Sequence, residues 1–228
     1  MAQLGRGVLL RFYDRLLAPT FRPAELMTYD ELARAVDADE THGLVALEAH
    51  DPVAGIVTEE YVDGQVLLVA YLVVAEVLRS RGIGAELLRQ AAGERNRLVL
   101  AEIDDPRFHP VDPLHGDPAA RVKFYDRVGS RLLPIPYTQP SLREGSPRAE
   151  NLLLVTIPSA EPTTDDLDGR LVARFLDEYY TVCEGGDVTL ADPEYLALRE
   201  AALGESGRLQ AVSLSDLARA RPGRVPSG

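Results

Sequence analysis

The chain has 228 residues, which is enough for one main domain with a substantial core and some extensions. Its net charge of −12 argues against a general nucleic-acid-binding protein, because phosphate neutralisation requires clustered lysine and arginine side chains. With Cys183 as the single cysteine, no intrachain disulfide can form, and no Cys and His cluster has metal-ligand spacing, so we expect no metal.

The distribution of apolar residues indicates the expected cellular location of the protein. The longest apolar stretch, Val66 to Ala75, is about half as long as a bilayer requires, and Glu76 follows it. The N-terminus lacks the apolar core of a signal peptide. We therefore expect a cytoplasmic protein that has no membrane partner.

The first part of the chain is predicted to contain a strand, two helical segments and an antiparallel meander. Gly7 to Tyr13 is predicted as a short strand, whereas Asp14 to Leu17 and Thr28 to Ala38 have the acidic starts and apolar spacing of helices. The Asp63-Gly64 pair is a strong hairpin signal. The three strands predicted for the meander are Gly43 to Ala49, Pro52 to Val62 and Gln65 to Val77.

A strand, helix, strand unit comes next. The last strand of the meander should end just before Arg79, and Gly82 to Asn96 changes to a helical pattern with one apolar stripe. Arg97 to Ile103 then alternates as a buried strand. The direction of the chain through this unit implies that its two strands pair in parallel.

The second half of the chain adds helices and strands to this unit. Together with the first half they predict an α/β (α+β) fold, with a mixed central sheet of about six or seven strands flanked by helices. The main domain is expected to span residues 1–160, with a C-terminal helical extension, 161–228, packing on or beside it. The predicted elements are helix Ala119 to Val128, strands Arg131 to Pro136 and Asn151 to Ile157 with a long connection between them, and helices Asp165 to Glu184 and Pro193 to Leu203.

The loop that leads into the predicted helix Gly82 to Asn96 has the composition of a phosphate site. Glycines at positions 82 and 84 let the backbone approach a pyrophosphate, and the helix N-terminus supplies free N–H groups and a favourable dipole. A dinucleotide-binding fingerprint would need glycine where Leu87 stands. A P-loop would need Gly-Lys-Ser or Gly-Lys-Thr, which does not occur.

With the strand Tyr71 to Val74 before it and an amphipathic helix after it, this loop resembles the acyl-CoA-binding motif of the GNAT (GCN5-related N-acetyltransferase) superfamily. That motif is Gln or Arg, two residues, Gly, one residue, then Gly or Ala, and the chain matches every fixed position. The resemblance implies the GNAT fold from about Gly7 to Ile157, with acetyl-CoA or another acyl-CoA as co-substrate. The cofactor-binding residues that it implies are Val73, Val74, Arg79, Arg81, Gly82, Ile83, Gly84 and Ala85.

A second segment, Lys123 to Gly129, resembles the helix in which the family often has Phe-Tyr-Glu-Lys-x-Gly. By this resemblance Tyr125 would lie near the thiol of coenzyme A and act as general acid for the departing thiolate. A phenol suits that role because it stays protonated near neutral pH. The chain departs from the family pattern at Pro118, where asparagine is common, and at Ser130.

The resemblance implies direct attack of a neutral amine on the thioester, with the Val74 N–H polarising the carbonyl. A base or a water chain must also take the amine proton. Glu102 is the preferred base because it lies near the C-terminal end of a parallel strand. Glu59 and Glu60 are the alternatives, and strand alternation allows at most one of them to face the site.

Together with the resemblance, these features predict a GNAT-type N-acetyltransferase acting on a small-molecule amine. The strand pair after Gly129 and the C-terminal helices could supply the interface of a homodimer. Acylation of a protein N-terminus or lysine is a near alternative. A degenerate module that binds acyl-CoA as a sensor or scaffold is another. A globular domain with an unrelated ligand is the last, and it would gain no stability from coenzyme A thioesters.

Overall fold

The computed structural model describes residues 1–93, 97–113, 116–143, 145–159, 165–186 and 192–217. Its strands are β1 (Ala2–Gln3), β2 (Thr41–Glu48), β3 (Asp51–Tyr61), β4 (Val66–Val74), β5 (Leu98–Asp104), β6 (Arg131–Leu132), β7 (Leu152–Ile157), β8 (Asp166–Asp168), β9 (Arg208–Gln210) and β10 (Val212–Ser213). Its helices are α1 (Arg6–Phe12), α2 (Ala18–Thr20), α3 (Tyr29–Asp37), α4 (Ile83–Ala92), α5 (Pro118–Arg127), α6 (Gly169–Glu184) and α7 (Pro193–Leu203). None of the helices in these ranges has the length and apolarity to cross a membrane.

Eight strands form one mixed sheet in the order β1-β2-β3-β4-β5-β7-β6-β10, and β8 pairs with β9 separately. Among the strands of the described ranges, β4 and β5 are the only neighbours in this sheet that pair in parallel. This confirms the predicted meander, the predicted parallel pair and the mixed sheet flanked by helices. The sheet exceeds the predicted strand count because β1 and β10, two residues each, are too short to give a periodic signal.

The predicted strand at Gly7 to Tyr13 is wrong. This segment forms α1 and continues as a π-helical turn from Tyr13 to Leu17. Leu9, Phe12 and Leu16 are buried at helical steps of three and four. A short apolar run is ambiguous between strand and buried helix, so the packing of these side chains decides its conformation.

Three predicted elements have different ends in the structure. Strand β4 stops at Val74 and a 3₁₀ turn, Glu76–Leu78, leads to the glycine loop. Strand β6 keeps only the first two of its six predicted residues, and the start of the predicted helix at Asp165 forms β8 instead. The predicted helix Gly82 to Asn96 is observed as α4, and residues 94–96 lie outside the described ranges.

The sheet has two faces. The back face packs on α4 and α5, where Leu67 and Ala101 of the sheet belong to the same apolar cluster as Leu87 of α4. The front face packs on α6 on one side, where Leu68 and Leu100 meet its apolar residues, and on α1 and α3 on the other. The helices of the front face leave a space between them, over the middle of the sheet.

Gly169, the first residue of α6, lies against the end of α7. A Cβ there would be 2.2 Å from the carbonyl oxygen of Leu203 and 2.7 Å from that of Ala202. Because both neighbours are backbone atoms, Gly169→Ala should destabilise the protein by about 1–3 kcal/mol or more. Gly7→Ala, where nothing lies within 4 Å of the added carbon, is the matched control. Equal urea-unfolding midpoints for the two variants would contradict this packing.

Candidate functional site

The two parallel strands at the centre of the sheet diverge and form a fork. Strands β4 and β5 pair from Val66 with Leu98 as far as Val69 with Ala101. Beyond that point β4 continues along β3 and β5 continues along β7. A β-bulge against β3 places Ala70 at the apex of the fork, and such bulges commonly re-aim side chains near functional sites.

The backbone of Val74 faces into this fork. The N–H of Ala75 donates to the carbonyl of Val53 on β3. Hydrogen-bonded pairs alternate with non-hydrogen-bonded pairs along an antiparallel ladder, so the N–H and C=O of Val74, which pairs with Ala54, point away from β3. On that open side, the carbonyl of Val74 accepts a hydrogen bond from Arg79 Nε at 3.3 Å. Val73 differs, because its backbone faces β3 and its side chain is buried on the front face.

The predicted acyl-CoA loop leads from β4 into the N-terminus of α4. Gly82 is the N-cap residue with φ +80°, a conformation that favours glycine. The first helical hydrogen bond runs from the Glu86 N–H to the Gly82 carbonyl, so the N–H groups of Ile83, Gly84 and Ala85 have no acceptor within the helix. These groups and the helix dipole fit an anionic pyrophosphate.

The side chains around the loop add charge and close packing. Arg79 and Arg81 are exposed beside the helix N-terminus. No atom lies within 4 Å of where a Cβ on Gly82 would be, so the approach to the backbone is open. A Cβ on Gly84 would lie 3.3 Å from the ring of Phe124, and this close contact sets α5 beside the start of α4.

Tyr125 lies on the back face of the sheet, next to Phe124, with 5% of its surface exposed. Its hydroxyl has no hydrogen-bond partner among the described residues. Burial raises the pKa of Tyr125 to about 12, and nearby Arg121 opposes that shift. The phenol therefore remains a proton donor at physiological pH. Pro118, at the family's asparagine position, is the first residue of α5.

A cavity of about 550 Å³ lies on the front face and reaches the apex of the fork. Ala70 and Glu102, the residues that follow the last β4 and β5 pair, both line it. Helix α3 and the segment before it form one wall, and α6 with the connection before β7 forms the other. The two predicted catalytic residues are thus on opposite faces of the sheet, Glu102 in front and Tyr125 behind.

Glu102 is held by three side chains that sequence reasoning did not single out. Its Oε1 accepts a short hydrogen bond from Tyr137, and its Oε2 accepts from Gln139 Nε2 at 2.6 Å and from the Tyr179 hydroxyl at 3.4 Å. Burial raises the pKa of Glu102 to about 7. The three hydrogen-bond donors act to lower this pKa, and nearby Glu59 acts to raise it. A carboxylate with this pKa is matched to general-base chemistry near neutral pH.

The alternative carboxylates on β3 separate as strand alternation predicts. Glu59 points to the front and accepts from the Tyr61 hydroxyl at 2.9 Å. Burial raises the pKa of Glu59 as well. Glu60 instead accepts from Arg97 Nη1 at 2.8 Å. Arg97 also donates to a carbonyl of α4, so this pair lies at the edge of the sheet towards the back face, and Glu60 reaches only the margin of the front cavity.

Cys183 on α6 also lines the cavity. Burial raises the pKa of its thiol to about 12, and the neighbouring carboxylates Glu59 and Glu102 raise it further, so the reactive thiolate is disfavoured. The raised pKa of the thiol fits a packing role for Cys183 and does not fit a nucleophile. Within the described ranges there is no group of three or more His, Cys, Asp or Glu side chains that could hold a metal.

No protein-family model matches the sequence, and no curated protein matches it. Solved structures match in fold. One is a Bacteroides thetaiotaomicron protein assigned to the GNAT acetyltransferase family, with TM-score 0.59 and 19% identity over 81% of this chain and 99% of that one. Another is NAA60 of Arabidopsis thaliana in complex with a bisubstrate analogue, with TM-score 0.50 and 13% identity over 71% of this chain and 99% of that one. The chain therefore has the fold of the GNAT superfamily.

Proposed function

We propose that the protein is an N-acyltransferase that moves an acetyl or other acyl group from acyl-CoA to a primary amine of a small molecule. The main support is the fork, which joins two half-sites. The anion-binding N-terminus of α4 lies on the back, and the cavity with Glu102 lies on the front. A thioester carbonyl in the fork would be within reach of groups from both faces.

Each residue then has a defined task in direct attack within a ternary complex. The thioester supplies the activated carbonyl carbon. The Val74 N–H donates to the oxygen that gains negative charge, which lowers the barrier because the donor is fixed in advance. Glu102 accepts a proton from the amine on the front face, and Tyr125 donates one to the thiolate on the back.

The shape of the front cavity supports a small acceptor. Its volume of about 550 Å³ falls in the range of small-ligand sites, about 300–1,000 Å³. A polypeptide acceptor would need an open groove, and here α6 and the connection after β6 form a wall on that side. The residues that form this wall include Tyr179 and Gln139.

Acyl-CoA binding is the first test of this proposal. Acetyl-CoA at a hundredfold excess over its dissociation constant should stabilise the folded protein by about 2.7 kcal/mol, measured as a rise in the thermal midpoint. The Arg79→Ala, Arg81→Ala double variant should need more ligand for the same rise. If saturating acetyl-CoA leaves the midpoint unchanged, the proposal is wrong. Stabilisation without thiol release across an amine panel would favour the sensor alternative.

A further inference from the structure

The lining of the front cavity is strongly acidic. Seven glutamates and one arginine contribute to it among the described residues. Some of these carboxylates are already neutralised, since Glu25 pairs with Arg22 and Glu60 with Arg97. The single arginine, Arg143, donates to the carbonyl of Leu26 and lies 4.0 Å from Glu31 at the rim.

Two carboxylates that line the cavity have no counter-ion among the described residues. Glu102 accepts only from Tyr137, Gln139 and Tyr179, and Glu59 accepts only from Tyr61, so within the described residues all of their donors are neutral. Withdrawing a carboxylate from water is costly unless a cation or enough donors compensate for it. A ligand that brings an amino group to each position would compensate for this cost.

The register of the sheet fixes the separation of these two carboxylates. Glu59 pairs with Leu68, which pairs with Leu100, and Glu102 is two residues further along β5. Two strand spacings and two residue steps place the Cα atoms about 12 Å apart on the same face. Between them the floor is formed by Leu68 and Ala70, which are apolar. The site thus has a carboxyl group at each end and an apolar middle.

We propose that the acceptor is a linear aliphatic diamine, with its reacting amino group beside Glu102 at the fork and its second, charged amino group held by Glu59. This inference rests on the proposed acyl transfer. Tyr61 lines the same end of the cavity and donates its hydroxyl hydrogen bond to Glu59. Glu59 is then a specificity residue that does not contact the reacting atoms.

The reaction balances with the groups on both faces of the sheet. The nitrogen at the fork bonds to the thioester carbon as the C–S bond breaks. Glu102 takes one proton from that nitrogen, and Tyr125 gives one to the thiolate. The products are a monoacylated diamine and a free thiol. The second amino group keeps its proton throughout.

The test compares 1,4-diaminobutane with 1-aminobutane, which has the same carbon chain and only one amino group. Wild type should acetylate the diamine with a kcat/KM about ten- to a hundredfold higher, the range expected for one charged hydrogen-bonded contact. Glu59→Gln keeps an acceptor for Tyr61 and should remove this preference through KM. Glu200→Gln, at an exposed position on α7, is the matched control and should keep the preference.

Equal efficiency of the wild type with the two amines would overturn the inference without touching the proposed acyl transfer, and this comparison needs no variant. Calorimetric titration of 1,4-diaminobutane gives a readout that does not depend on turnover. Binding to wild type and to Glu200→Gln, but not to folded Glu59→Gln, supports the diamine site. If these proteins bind the diamine and no amine is acylated, the proposed function fails and the diamine site stands. Absence of diamine binding to wild type, with and without coenzyme A, overturns the inference.

Discussion

Glu102→Gln is expected to lower kcat/KM for amine acetylation by about 10²–10⁴-fold, the usual contribution of a positioned general base. Glutamine has nearly the same shape as glutamate and can still accept the hydrogen bond from Tyr137. The amide of Gln139 can turn to match the new donor. The variant therefore loses proton acceptance and little else, and thiol release in the presence of excess amine measures that loss.

The pH profile assigns this effect to proton transfer. The pKa of Glu102 is raised to about 7, so the basic form accumulates as the pH rises through that value. Wild-type kcat/KM should show an ascending limb near pH 7, in addition to the limb from the ionisation of the amine itself. The limb near 7 should disappear in Glu102→Gln, and the amine limb should remain.

The stability of Glu102→Gln shows whether its loss of activity comes from catalysis or from misfolding. Because the folded pKa of Glu102 exceeds its unfolded value of about 4.5, the folded state binds more protons between these pH values, and stability falls as the pH rises from about 4.5 to 7. At pH 8 this carboxylate destabilises the wild type, so Glu102→Gln should be at least as stable in urea. A variant that is stable and fully active would remove Glu102 from the mechanism.

The loop and helix of the proposed cofactor half were predictable as structure because their signals are local. The glycines before α4, the helical period after them and the strands on either side all lie between Val66 and Asp104, in one continuous part of the chain. Strand alternation likewise separates Glu59 from Glu60. The parallel pairing of β4 and β5 then follows from the direction of the chain, and the fork follows from that pairing.

The side chains that hold Glu102 in the proposed acceptor half were not predictable, because their contacts join distant parts of the chain. The hydroxyls of Tyr137 and Tyr179 reach Glu102 across 35 and 77 residues. Tyr137 and Gln139 lie in an irregular connection without periodicity, and Tyr179 is on a helix outside the part that the family resemblance covers. The misplaced strand at Gly7 to Tyr13 has the same cause, since packing on the sheet selected helix for an ambiguous apolar run.

Tyr125→Phe is expected to lower kcat by about 10²-fold or more, because the departing thiolate would lose its proton donor on the back face. The hydroxyl of Tyr125 makes no hydrogen bond within the described residues, so its removal should leave the unfolding midpoint unchanged. The shift produced by acetyl-CoA should persist as well. With a pKa of about 12, Tyr125 gives no limb near pH 7, so that limb should remain in the variant.

The two variants together test whether acid and base act from opposite sides of the fork. If Tyr125 assists only the thiolate, a faster-leaving acyl donor, such as an acyl thioester of a more acidic thiol, should restore most of the turnover of Tyr125→Phe. The same donor should not rescue Glu102→Gln, because the amine still has to lose its proton on the front face. Equal rescue of both variants would place the two residues in one shared step and contradict the separation that the sheet imposes.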